Sequence, residues 1–244
     1  MTLRKPLRKL SASLLKRYYM LTAGGYSVGS AYGARFLFHW RHSLDKKVAL
    51  ELYEHDQIKY LTSVLERIKP EVFVDIGAHV ALYSIILKTR YPAMEVHAFE
   101  PDRTNLCQLY GNLFVNKFQG SIRVHEHGLS DQAGKVTFDA SEETSSRGTR
   151  RISSSGNIEI EVRRLDDVLS AAEKVVAIKI DVEGHENQVV EGAKILLSTN
   201  KCFLQIESSG DGLILLRKKM ETLGYRWVNT LGGHDHYFTN IPAI

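Results

Sequence analysis

Cysteine is scarce in this chain. Cys107 and Cys202 are the only two among 244 residues, and they lack metal-type spacing. Neither a zinc site nor a disulfide framework is expected, and both read as buried free thiols of a cytoplasmic protein. Long apolar runs are missing too. No stretch of about 18 consecutive apolar residues occurs, so no transmembrane helix is expected. Lys16, Arg17 and Tyr18 interrupt the region after the first basic residues, which leaves no continuous apolar segment for a signal peptide. A large charge of one sign is also absent. The formal net charge of +4 is too small to imply a polyanionic partner for the body of the protein. With 43% hydrophobic and 25% charged residues, the composition is that of an ordinary globular protein, which rejects disorder as the default.

The charge that is present is unevenly placed. Residues 1–20 carry Arg4, Lys5, Arg8, Lys9, Lys16 and Arg17 and no acid, and the remainder is slightly acidic. Leu3, Leu7, Leu10, Leu14 and Leu15 fall among these cations, so the segment can form an amphipathic helix. Two uses stay open. The helix covers a core, which is the commoner role of such a face, or it rests on anionic lipid as a peripheral membrane contact. The length suits one large α/β domain. We divide the chain into residues 1–47, a basic helix and extension, and residues 48–244, the main domain. The extension holds a Gly/Ser/Tyr stretch (24–33) and an aromatic cluster, Phe36, Phe38 and Trp40, which read as a loop and a short β segment or hairpin.

From residue 56 onward helices and strands alternate. Ile58, Leu61, Leu65 and Ile68 give residues 57–68 helical spacing. Short apolar strands are expected at 72–76, 95–99, 122–125, 175–180 and 201–206. Helices are expected at 81–89, 104–116, 165–172, 186–197 and 213–223. Residues 225–228 and 236–239 read as a terminal antiparallel pair. A Ser/Thr/Arg-rich run, 141–155, reads as a loop between strands at 136–138 and 158–162. Residues 175–180 are almost wholly apolar, as a central parallel strand buried on both faces requires. The expected architecture is α/β: a Rossmann-like, seven-stranded, mostly parallel sheet with an antiparallel C-terminal hairpin, helices on both faces and an N-terminal extension. In such sheets ligands bind beyond the carboxyl ends of the strands.

Polar residues collect at those strand ends. Asp75-Ile76-Gly77-Ala78 is a small-residue turn between strand and helix, where backbone can approach a ligand and N–H groups can meet a carboxylate. Asp75 there either takes an ammonium group or holds the loop. Glu100 ends the next strand, 25 positions after Asp75. An acid about 20 residues beyond such a turn bonds ribose hydroxyls, because a carboxylate accepts from two adjacent O–H donors. Asp181, Glu183, His185 and Glu186 crowd one strand–helix junction. Part of that is ordinary charge complementarity at a helix start, but four titratable groups exceed what a cap needs, and they suit general-base chemistry.

These motifs resemble the FkbM family of methyltransferases, within the class I S-adenosylmethionine-dependent superfamily. The resemblance rests on residues 72–78 (VFVDIGA), 98–102 (AFEPD), 128–131 (GLSD), 164–167 (RLDD) and above all 179–184 (KIDVEG), and covers about 48 to 227. It implies bound S-adenosylmethionine. Asp75, Gly77 and Ala78 would cradle the methionine part, Glu100 with Pro101 the ribose, and Leu129 and Ser130 the adenine. Asp181, Glu183 and Glu207 would border the methyl-transfer site. Two positions depart from the family pattern: His79 replaces a common Asn and Ala81 a common Gly, so His79 either shifts the cofactor contacts or joins the site.

Methyl transfer needs alignment of nucleophile, methyl and sulfur, and a hydroxyl acceptor also needs a base. Asp181, Glu183, His185 and Glu207 are the candidates, Asp181 and Glu183 first. The resemblance favours O-methylation of a sugar, glycan or natural-product hydroxyl, with no nucleic-acid partner. The rivals are a methyltransferase acting on nucleic acid or protein, and a non-catalytic nucleoside-binding module. A base-methylating signature of Asn/Asp-Pro-Pro-aromatic is missing after the central strand. The full Gly-x-Gly-x-x-Gly turn of a dehydrogenase is missing from the first loop. A divalent cation at Asp181, Glu183 and His185 is disfavoured, because oxygen-rich cation sites need more ligands. His125, His127, His234 and His236 read as surface or turn residues, although His234 and His236 reach the acceptor site if the C-terminal hairpin folds over it.

Overall fold

The computed structural model describes residues 5–140, 151–152 and 156–242, with side chains from residue 13 onward except Arg151. The chain opens with α1 (Lys5–Thr22), then a hairpin of β1 (Tyr26–Ala31) and β2 (Ala34–His39). Helices α2 (Ser43–Ala49) and α3 (His55–Ile68) lead into β3 (Val72–Ile76), α4 (Leu82–Arg90), β4 (Glu95–Phe99), α5 (Arg103–Asn116) and β5 (Ile122–His125). Four short strands follow: β6 (Gly128–Leu129), β7 (Gly134–Asp139), β8 (Arg151–Ile152) and β9 (Ile158–Arg163). Then come α6 (Leu165–Val168), β10 (Val175–Ile180), α7 (Glu186–Glu191), α8 (Lys194–Thr199), β11 (Lys201–Glu207) and α9 (Gly210–Thr222). The C-terminal strands are β12 (Arg226–Leu231) and β13 (Asp235–Thr239).

The main sheet has seven strands in the order β12-β13-β11-β10-β3-β4-β5. Strands β11, β10, β3, β4 and β5 run parallel, and the β12–β13 hairpin joins antiparallel through β13. This is the expected α/β architecture. Every residue of β3 and nearly all of β10 is buried, because helices cover both faces. Alternate side chains feed two cores. Phe73, Ala177, Phe203 and Tyr237 enter one, and Val74, Ile178, Leu204 and Phe238 the other.

The N-terminal hairpin does not stand apart. Phe36, Phe38 and Trp40 belong to the same core as Phe73 and Leu109. β2 lies along α5, where the Leu37 N–H donates to Asn112 Oδ1 at 2.7 Å. The boundary read at 47/48 falls inside α2. On α1, Leu14, Leu15, Tyr18 and Leu21 are exposed, whereas Tyr19 stacks on Trp40 at 5.7 Å. No described helix is long and apolar enough to cross a membrane.

Three expectations need correction. The helix read at 165–172 is the single turn α6; the Asp166 carboxylate instead accepts the N–H groups of Ile195 and Leu196, capping α8. The helix read at 186–197 is two, because the backbone leaves helical geometry at Ala193, with φ −115° and ψ 10°, next to Gly192, where a Cβ would lie 2.0 Å from the Ser130 carbonyl oxygen. The strands flanking the 141–155 run join β6 and β8 in a second, four-stranded sheet, β6-β9-β7-β8, that the sequence did not reveal. Most of 141–155 itself lies outside the described residues.

Candidate active site

Sheet order sets the site. The tips of β4, β3, β10, β11 and β13 stand side by side. Their register aligns Asp75 with Lys179, Ile76 with Ile180, Ile76 with Phe99, and Glu207 with Asp235. Residues just past each tip therefore line one cleft of about 630 Å³, a size suited to a small organic ligand. Gly77, His79, Glu100, Pro101, Leu129, Asp181, Glu183, His185 and Glu207 all border it.

The first turn is held in unusual backbone geometry. Gly77, His79 and Ala81 have φ of +79°, +52° and +62°. The two departures from the family pattern thus occupy left-handed positions, which explains why Asn and Gly suit them. His is among the residues that tolerate this region, and Ala bears the strain. At Gly77 a side chain is excluded outright: a Cβ would sit 1.8 Å from the Asp181 carbonyl oxygen.

Asp75 does not border the main cleft. It is buried, and its Oδ2 accepts from the Ser84 N–H at 3.1 Å and the Ser84 hydroxyl at 2.6 Å, which fixes the start of α4. With Ala78 it lines a small cavity of about 30 Å³ that adjoins the cleft and shares Tyr53, Glu54, Gly77, His79 and Asp181 with it. Ser130 is also absent from the cleft lining; its hydroxyl pairs with His185 Nε2 at 2.9 Å. Burial pushes His185 below its ordinary pKa, so it stays a neutral imidazole.

Glu100 stands at the entry to the second helix. It accepts the His79 N–H and the Asp102 N–H, each at 2.8 Å, so it clamps the first turn to the second. Burial pushes its carboxyl up to about 8 against these donors. Asn105 donates to it, and the Asn105 Oδ1 is buried without a partner beside the cleft. Phe99, Leu129, Phe138, Ile152 and Ile160 supply an apolar wall. Nothing in the local sequence pattern marks Asn105 or the β7–β9 wall. The Asn lies inside an amphipathic helix, and the wall depends on a sheet formed from distant strands.

The other half of the cleft is acidic around one buried cation. Lys179 Nζ donates to Asp181 Oδ2 at 2.8 Å and lies 4.9 Å from the centre of the Tyr83 ring. Burial opposes its charge, yet Asp181, Glu54 and Asp75 hold it well above the ordinary lysine value. Tyr53 and Glu54 reach in from the start of α3, and the Tyr83 hydroxyl donates to Glu54 Oε2 at 2.5 Å. Burial, reinforced by Asp181, pushes Glu207 up to about 9. Glu183 borders the cleft with φ +52° and an exposed side chain. Asp181, Glu183 and His185 do not form a metal-holding group; no such group occurs among the described residues.

The histidines divide. His234 lies on the tip of the C-terminal hairpin and borders the cleft, half-exposed. His236 is buried and engaged with Thr230 and the Ser208 carbonyl, away from it. His125 is no turn residue: it stacks on Phe99 at 4.2 Å and meets His97 at 3.0 Å, and burial pushes it down to about 4.

Comparison with known proteins agrees with this geometry. Residues 75–227 match the methyltransferase FkbM domain. The chain belongs to the FkbM family of S-adenosylmethionine-dependent methyltransferases. It is 29% identical over 161 residues to the hexuronic acid methyltransferase AglP of Haloferax volcanii, covering 65% of this chain and 64% of that one. It is 27% identical over 170 residues to the 31-O-demethyl-FK506 methyltransferase FkbM of Streptomyces tacrolimicus, covering 55% and 64%. The chain thus spans somewhat under two thirds of these relatives. Its fold resembles the crystal structure of methyltransferase FkbM from Methylobacillus flagellatus, with a TM-score of 0.53, 18% identity, and coverage of 95% of this chain and 58% of that one.

The residues present fit the family's cofactor. The cleft has a glycine where backbone must come close, a buried acid with a neighbouring orphaned amide oxygen for hydroxyl donors, and an apolar wall for an adenine ring. Its far end is lined by acids, which complement a sulfonium charge.

Proposed function

We propose that this chain transfers the methyl group of S-adenosylmethionine to a hydroxyl of a carbohydrate or related polyol. The observation that carries this reading is the wall formed by Glu54, Asp181 and Glu207 beside the expected cofactor position. A wall rich in carboxyl oxygens accepts hydrogen bonds from hydroxyls. The names of two relatives support it, since one is a hexuronic acid methyltransferase and the other a 31-O-demethyl-FK506 methyltransferase. Within this reading Gly77 and His79 border the amino-acid half of the cofactor. Glu100 and Asn105 accept its ribose hydroxyls. Phe99, Leu129 and Ile160 exclude water around the base. The cofactor supplies an activated methyl, and the protein's work is to align the acceptor oxygen and remove its proton.

The test incubates purified protein with methyl-labelled S-adenosylmethionine and a panel of methyl glycosides, including methyl β-D-glucuronoside. Labelled products are then treated with mild alkali. The expected product is an ether that survives; an alkali-labile methyl ester, or label only on amines or nucleic acid, sinks the reading.

A further inference from the structure

We propose that His234, on the β12–β13 turn, is the group that takes the proton from the acceptor hydroxyl, with Glu207 orienting that hydroxyl. The inference rests on the hydroxyl-methylation reading above. It selects a base outside the acidic junction that the sequence singles out.

The case is geometric. His234 Nε2 lies 3.8 Å from Glu207 Oε1 and 3.8 Å from Asp235 Oδ2. That separation is too long for a hydrogen bond, yet one oxygen about 2.8 Å from each atom fits between them. An acceptor hydroxyl placed there touches His234 and Glu207 together. The turn that carries His234 is anchored. Ser208 N–H donates to the His234 carbonyl at 2.9 Å, and Asp235 accepts from Gln57 at 3.0 Å and Gln205 at 2.8 Å. Gly232 and Gly233 have φ of +61° and +83°, which lets the turn bring the ring over the strand tips.

Asp181 and His185 are already engaged. Asp181 is committed to the buried Lys179, whose Nζ donates to its Oδ2 at 2.8 Å. His185 faces Ser130, on the adenine side. Burial raises Glu207 above the ordinary carboxyl value, which suits it to donating to or orienting a hydroxyl rather than deprotonating it. The charged groups facing the imidazole are Glu207 from β11, Asp235 from β13, and, further along the wall, Asp181 and Lys179 from β10 and Glu54 from the start of α3. In the step, the acceptor oxygen forms a bond to the methyl carbon as the carbon–sulfur bond breaks and its electron pair stays on sulfur. The hydroxyl proton passes to His234 and from there to water.

The experiment compares wild type, His234→Gln and His234→Ala, using methyl β-D-glucuronoside as acceptor over a pH series. Binding of S-adenosylhomocysteine is measured by calorimetry on the same proteins. The expected result is a loss of kcat of about 10²-fold or more, with S-adenosylhomocysteine binding unchanged. Added imidazole should restore turnover to His234→Ala, and the acid limb of the wild-type pH profile should disappear from both variants. Variants within a few-fold of wild type, or a loss that imidazole leaves in place, overturn the proposal. If wild type itself methylates no hydroxyl, the acceptor reading falls and this assignment falls with it.

Discussion

The carbonyl oxygen of Asp181 occupies the space where a side chain on Gly77 would begin, 1.8 Å from the position of its Cβ. Two neighbouring strand tips are thus packed backbone to backbone at the centre of the cleft. Gly77→Ala must push them apart and also hold φ near +79°. We expect a loss of about 3 kcal/mol, seen as a fall of roughly 6–12 °C in Tm, and loss of detectable S-adenosylmethionine binding by calorimetry. A variant that binds normally would show that the two tips are not rigidly joined.

The buried Lys179 pairs with the half-buried Asp181 among further acidic neighbours. Removing the lysine leaves Asp181, Asp75 and Glu54 near one another with no cation between them. Lys179→Met is therefore expected to cost about 3–5 kcal/mol. Asp181→Asn removes one of the repelling charges, so the double variant should be more stable than the sum of the two single losses, by at least about 1 kcal/mol. Urea denaturation of the four proteins measures this. Additive effects would mean that the 2.8 Å contact carries no coupling.

Glu100 makes stability depend on pH in a direction opposite to that of a salt-bridged acid. The folded carboxyl keeps its proton up to about pH 8 because it is buried, whereas the ordinary value is 4.5. Below 4.5 both folded and unfolded chains are protonated. Between the two values the unfolded chain binds fewer protons, so stability falls as pH rises, and it levels off above about 8. Glu207, raised to about 9, acts in the same sense. We expect the ligand-free protein to lose Tm progressively across this window, and Glu100→Gln to flatten the slope. The same variant should bind S-adenosylmethionine roughly 10–100-fold more weakly through its lost ribose contacts. An unchanged slope would place the titration elsewhere.

Particular residues show why some of this was legible in the sequence. Gly77, Glu100, Asp181 and Glu207 follow apolar strands, and in a parallel sheet every strand end points to the same edge, so their convergence follows from order alone. The direction of a side chain at that edge does not. Asp75 and Glu100 both end strands, but Asp75 turns inward to Ser84 while Glu100 faces the cleft. Asn105, Phe138 and Ile160 reach the cleft through helix and sheet packing, which no local pattern encodes. The close approach of Gly192 to the Ser130 backbone, remote in sequence, is likewise invisible in a run with a good helical pattern.

The exposed face of α1 supports a last expectation. Leu14, Leu15, Tyr18 and Leu21 point to solvent, and Lys16 and Arg17 stand beside them in a segment without acids. Apolar groups flanked by cations complement an anionic bilayer surface, where the side chains enter the headgroup boundary and the charges meet lipid phosphates. We expect the full chain to cosediment with vesicles containing phosphatidylserine and to be released by high salt, because each basic residue adds about 1 kcal/mol that salt screens. Leu14→Glu with Leu21→Glu should abolish sedimentation and leave S-adenosylhomocysteine binding intact, since neither side chain lines the cleft. Equal binding to neutral phosphatidylcholine vesicles, or none to either, would return the helix to the plainer role of a surface cover over Trp40.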